Sequence, residues 1–173
     1  DRALELVRHV PVVGIEERNH CAASGEDTGI AGTGQPAIAL VDDVDAIPVG
    51  GEHGGIVCTS SNAGTIARWA FERRPKVLFF PDQHLGRWTG HQLGFPMDEM
   101  VVWDPDLEMG GLTVDQIRKA RILLWKGHCS VHQMFRKAHI ALFRQKYPGI
   151  KILVHPECPQ EVNDIADISG STS

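Results

Sequence analysis

From Gly54 onward one pattern recurs: a short apolar run, a turn rich in Gly, Ser or Pro, then a segment with apolar residues at helical spacing. Strands that alternate with helices in this way lie parallel, because each helix returns the chain to the starting end of the sheet. The expected class is α/β, a parallel sheet assembled from β-α units. Ile56 to Thr59 predicts a buried strand. Ser60, Ser61 and Asn62 offer capping side chains to a helix that buries Ile66, Trp69 and Ala70 and stops near Pro75. Val77 to Phe80, Met100 to Trp103, Ile122 to Trp125 and Ile152 to Val154 predict further strands. Thr113 opens a short helix with Gln116 in capping-box position. Val131, Met134, Phe135, Ala138 and Leu142 place one apolar face on a helix that starts at Cys129 and ends at Tyr147-Pro148-Gly149. Val162, Ile165 and Ile168 predict another helix or a helix-to-strand passage.

Residues 1–53 carry no such alternation. Asp1 to Val13 could hold a short helix and a strand, whereas Ser24 to Gly34 is loop-like. Gly32-Thr33-Gly34 lacks the rest of a phosphate-loop fingerprint, and Asp42, Asp43 and Asp45 fit a solvated turn better than a cation site. A net charge of −5 with pI near 6.0 argues against an electrostatic nucleic-acid binder, which needs a basic face for phosphates. Small-molecule chemistry is expected instead. No apolar run approaches the roughly 20 residues that cross a bilayer, and no basic-then-apolar segment opens the chain, so a cytoplasmic location with no membrane partner is expected. Cys21, Cys58, Cys129 and Cys158 are too widely spaced for a disulfide framework or a C-x-x-C metal knuckle.

In a parallel sheet, ligands bind at the carboxyl ends of the strands. Four polar clusters fall there: Thr59-Ser60-Ser61, Asp82-Gln83-His84, His128 to His132, and His155-Pro156-Glu157-Cys158. Each alone could be a capping turn. Cys129, at an expected helix start, suits a nucleophile or a soft-metal ligand, and an inert buried cysteine fits the same position. His132, three residues on, can share its face. Strand alternation would point His155 and Glu157 to one side, where they could trade protons, although a strand-end histidine beside a solvated acid is also compatible. Ser60, Ser171 and Thr172 are hydroxyls beside helix starts, suited to anions and to capping alike. Cys129, His132 and His155 could also serve a mononuclear zinc hydrolase or lyase.

Five strings occur in order: Cys58-Thr59-Ser60-Ser61-Asn62-Ala63, Phe80 to Arg87, Trp125 to His132, Val154 to Pro159, and Gly170-Ser171-Thr172. Together, over about residues 53–173, they resemble the motif set of the quinolinate synthase family. The resemblance implies one α/β domain of a pseudo-threefold, three-domain arrangement over residues 54–130. It also implies the start of the next domain over 131–173, after a divergent or foreign leader over 1–53. It implies a condensing enzyme of NAD biosynthesis that makes quinolinate from iminoaspartate and dihydroxyacetone phosphate. The imine would come from L-aspartate oxidase or aspartate dehydrogenase. It implies a 4Fe–4S cluster with one open iron, Cys129 being one of three cysteine ligands. His132, His155 and Glu157 take the catalytic positions, and Ser60, Ser171 and Thr172 the substrate-binding ones. Cys58 and Cys158 match no ligand, and the family's Tyr-x-Asn motif has no counterpart here. With two ligands unidentified, an inactive fragment or a non-catalytic remnant is the other expectation.

Overall fold

The computed structural model describes residues 12–15 and 56–171. Five parallel strands form the main sheet: β1 Val12–Ile15, β2 Ile56–Cys58, β3 Val77–Phe80, β4 Met100–Trp103 and β5 Ile122–Trp125, in the order β2-β1-β3-β5-β4. The registers pair Val13 with Ile56, Val12 with Leu78, Val77 with Ile122 and Met100 with Ile122. β1 comes from the stretch without alternating pattern, yet it lies inside the sheet.

Ile122, Leu123 and Leu124 of β5 are all buried, because this interior strand is covered on both faces and reads as an unbroken apolar run. One face packs Val77, Phe79, Ile122, Leu124 and Met100 against α1 (Ala63–Phe71) and α2 (Gln83–Gln92). The other sets Leu123 and Ala120 against Leu78, Val101 and Leu112, beside α3 (Val114–Lys119). Each fully buried Leu or Ile contributes about 1.5–3 kcal/mol relative to exposure. α2 approaches the sheet so closely that a Cβ on Gly86 would stand 2.6 Å from both Leu124 and Phe79.

A second, two-stranded parallel sheet joins β6 (Leu153–Val154) to β7 (Ile168–Ser169), with α4 (Lys137–Lys146) and α5 (Gln160–Asn163) beside it. Its core is Ile140, Cys158 and Val162, backed by Ile152, Val154 and Ile165. α5 also packs against α2, which brings the strand ends of both sheets together. Among the described residues no helix is long and apolar enough to cross a membrane.

The expected capping box of α3 is present, with the Thr113 side chain accepting from the Gln116 amide. Three local expectations need correction. Asn62 does not cap α1 with its side chain; its Oδ1 turns back to accept from the Thr59 amide at 2.7 Å. The first and fifth expected strands are one residue shorter, at Ile56–Cys58 and Leu153–Val154. No helix starts at Cys129: a single 3-10 turn spans His132–Met134, Phe135 is extended (φ −84°, ψ 132°), and α4 begins only at Lys137. The extended residues break the helical phase, so Val131, Met134, Phe135, Ala138 and Leu142 form no common buried face and are exposed; Ile140 alone on α4 points inward.

Candidate functional site

The site is assembled from turns that follow β3, β5 and β6. Asp82, the N-cap of α2, accepts through Oδ1 from the amides of His84 (2.7 Å) and Leu85 (2.8 Å). Its Oδ2 accepts from the Cys129 amide at 2.9 Å, across to the turn after β5. The Gln83 amide donates to the Gly127 carbonyl at 3.0 Å, so the two turns are joined through backbone as well. They approach so closely that a Cβ at Gly127 would stand 2.0 Å from the Pro81 carbonyl oxygen. Close by, burial together with the charges of Arg87 and His128 pushes the His84 imidazole down to about 4, keeping it neutral near pH 7.

Cys129 is nearly buried, and its thiol, a ring nitrogen of His132 and a carboxylate oxygen of Glu157 all lie within 4.8 Å of one another. Glu157 is 2% exposed, a burial that a carboxylate tolerates only with partners. One partner is His132, whose Nδ1 stands 3.0 Å from Glu157 Oε2. His155 stacks on His132 with ring centroids 4.4 Å apart and planes 7° from parallel. Its Nδ1 accepts from the Glu157 amide at 3.3 Å and stands 4.0 Å from Oε2. His155 and Glu157 therefore converge, but through a tight turn, closed by the Cys158 amide on the His155 carbonyl at 2.9 Å, rather than through strand alternation. The absence of a helix at Cys129 also removes the helix dipole as a source of thiolate stabilisation.

Two imidazoles and one carboxylate in this arrangement can hold a proton and pass it on. With the thiol beside them, Cys129, His132 and Glu157 have the donor types for a soft or borderline metal. That set differs from the expected zinc ligands: Glu157 stands in the group and His155 is the stacked neighbour. Burial pushes the thiols of the other two described cysteines up, Cys58 to about 12 and Cys158 above its ordinary value.

Ser60 and Ser171 are brought together, their hydroxyls 2.8 Å apart. They line a cavity of about 330 Å³ that also meets Gly64, Trp88, Thr89 and Pro156. Pro156 lies between His155 and Glu157 in the chain, so the serine cavity borders the turn that carries them. Thr172 lies outside the described residues, as do Cys21, Gly32 to Gly34 and Asp42 to Asp45. Asp82 is the site residue that sequence reasoning passed over. Its signal was present, since it opens one of the four strand-end clusters, but a capping role accounted for it.

The chain matches the family model described as NadA, quinolinate synthetase A protein, over residues 43–173. It is similar to the quinolinate synthase of Rhodopirellula baltica, 66% identical over 123 residues, covering 70% of this chain and 31% of that protein. The quinolinate synthase of Herpetosiphon aurantiacus is 57% identical over 124 residues, 71% of this chain and 33% of that protein. That of Streptomyces coelicolor is 46% identical over 147 residues, 84% of this chain and 37% of that protein. The chain thus spans about a third of the length of the curated relatives it matches.

Proposed function

The chain belongs to the quinolinate synthase family, and from that premise we propose that it carries part of the active site for condensing iminoaspartate with dihydroxyacetone phosphate, with loss of phosphate and water, to quinolinate. Cys129 would hold one corner of a 4Fe–4S cluster, which when bound supplies Lewis acidity at an open iron. The supporting observation is that Cys129, His132, His155 and Glu157, carried on turns of two different sheets, meet at one place.

The roles follow from the atoms. Building a pyridine ring from an imine and a hydroxyketone requires protons to leave carbon and nitrogen and to reach departing oxygen. Glu157 Oε2 and His132 Nδ1, 3.0 Å apart, set a carboxylate beside an imidazole, the two groups by which a proton would be lent to substrate and taken back. His155, flat against His132 and anchored by the Glu157 amide, keeps that pair in orientation and offers a second imidazole to substrate. Ser60 and Ser171, with Thr172 next in the chain, would bind carboxylate or phosphate at the cavity wall. L-Aspartate oxidase or aspartate dehydrogenase would supply the unstable imine in the cytoplasm. We also propose that residues 54–130 and 131–173 belong to successive domains of the whole enzyme, and that the divergent leader over 1–53 lends β1 to the sheet of the first.

The test is a chimera in which residues 56–171 replace the corresponding segment of the Rhodopirellula baltica relative, expressed in a bacterium that lacks quinolinate synthase and requires nicotinic acid. Growth without nicotinic acid, abolished by Cys129→Ala, is expected. A soluble chimera that carries its cluster yet forms no quinolinate would refute the reading.

A further inference from the structure

Cys129 lies two residues beyond an isolated parallel bridge between Asp82 and Gly127, in a segment that no strand or α-helix spans: between the end of β5 and α4 the only helical feature is the 3-10 turn at His132–Met134. The position of its thiol depends on individual hydrogen bonds. The Gln133 amide donates to the Cys129 carbonyl at 3.2 Å, and the Cys129 amide donates to Asp82 Oδ2 at 2.9 Å. Asp82 is 6% exposed. A carboxylate that is only an N-cap is excessive there, because Ser, Thr or Asn satisfies a helix start about as well with a single oxygen. The carboxylate has two acceptor oxygens, and here they face different elements: Oδ1 the start of α2, Oδ2 the turn after β5. Hydrogen bonds to an ionised acceptor are roughly twice as strong as neutral ones. One buried carboxylate therefore ties the β3 turn to the thiol-bearing residue itself, two residues beyond the Gln83–Gly127 backbone bond that also joins the turns.

We propose that Asp82 is a positioning residue of the site, whose second carboxylate oxygen fixes the Cys129 backbone and so holds the thiol beside His132 and Glu157. Asn cannot replace it, because an amide offers one acceptor oxygen and would turn an N–H toward a second N–H. Its importance for catalysis rests on Cys129 acting as proposed above, but its effect on Cys129 can be read without cluster or substrate.

The test uses the whole 173-residue chain, comparing wild type, Asp82→Asn and Asp82→Ala by residue-resolved amide hydrogen exchange and by mass-spectrometric iodoacetamide labelling of each cysteine. Asp82→Asn should keep one acceptor for α2, leaving the exchange of His84 and Leu85 within about twofold. The Cys129 amide should exchange at least about tenfold faster, shift upfield in its proton resonance and be accompanied by faster thiol labelling. Asp82→Ala should accelerate both sets. Unchanged Cys129 exchange and labelling in both variants would reduce Asp82 to a helix cap, and equal acceleration of every amide in Asp82→Asn would reduce it to general stability. If neither variant folds, wild type decides: a Cys129 amide exchanging at its unprotected rate overturns the proposal, and protection of about tenfold or more supports it.

Discussion

Replacing Gly127 with Ala tests how tightly the β3 and β5 turns are fitted. The new Cβ would lie 2.0 Å from the Pro81 carbonyl oxygen, where real Cβ contacts essentially never fall below 3.0 Å, so the backbones must separate by about 1 Å. Two bonds resist that separation: Gln83 amide to Gly127 carbonyl at 3.0 Å, and Cys129 amide to Asp82 at 2.9 Å. Losing one neutral backbone bond and one bond to a charged group costs about 2–4.5 kcal/mol, and tolerating the overlap instead costs about 1–3 kcal/mol. Because one relieves the other, the expected loss is about 2–4 kcal/mol, or about 4–16 °C in midpoint for a chain of this size. Gly64→Ala is the control: nothing lies within 4 Å of its Cβ position and it sits within α1, so helix propensity should add about 0.5–1 kcal/mol. Thermal unfolding followed by circular dichroism measures both. A Gly127→Ala midpoint within about 2 °C of wild type would show that the turns are not in contact as described.

Other outcomes follow from the same structure. The Cys58 thiol, pushed by burial from its ordinary 9.0 to about 12, should resist alkylation at pH 8 until the chain unfolds. Its raised value contributes stability below pH 9 that is lost as pH rises toward 12, so denaturation midpoints across that window should fall less in Cys58→Ala. Asp167 is held at about 2 by the Ile152 amide and Arg144; its contribution is present above pH 3.8 and lost as pH falls toward 2, and Asp167→Asn should remove that slope from the exchange rate of the Ile152 amide. Anaerobic treatment of the isolated chain with iron and sulfide should give no stable 4Fe–4S chromophore, since one thiol is assigned where three are needed. A stoichiometric cluster lost in both Cys129→Ala and Cys21→Ala would make Cys21 a ligand.

The sequence foretold best what depends on burial alone. Val77–Phe80, Met100–Trp103 and Ile122–Trp125 match the expected strands residue for residue, because parallel strands covered on both faces read as apolar runs. The segment after Cys129 misled because apolar spacing marks a helix face only where the chain stays helical, and Phe135 interrupts it. The candidate site residues were legible one cluster at a time, since each cluster follows a strand end. Their assembly was not, because it depends on contacts between distant positions: Asp82 and Cys129 are 47 residues apart, and Ser60 and Ser171 are 111 apart. Local chemistry names the candidates, and only tertiary packing chooses which atoms of each face one another.

The place of β1 bears on how the chain can be cut. It supplies hydrogen-bonding partners to β2 on one side and β3 on the other, although residues 16–55 separate it from β2 in sequence. Trimming the chain to begin at residue 54 would remove a slat from the middle of the sheet, exposing two facing rows of unpaired amides and carbonyls. Such rows are templates for foreign strands, so that truncated product should self-associate, and a synthetic peptide spanning Val12–Ile15 with its neighbours should restore it to monomer.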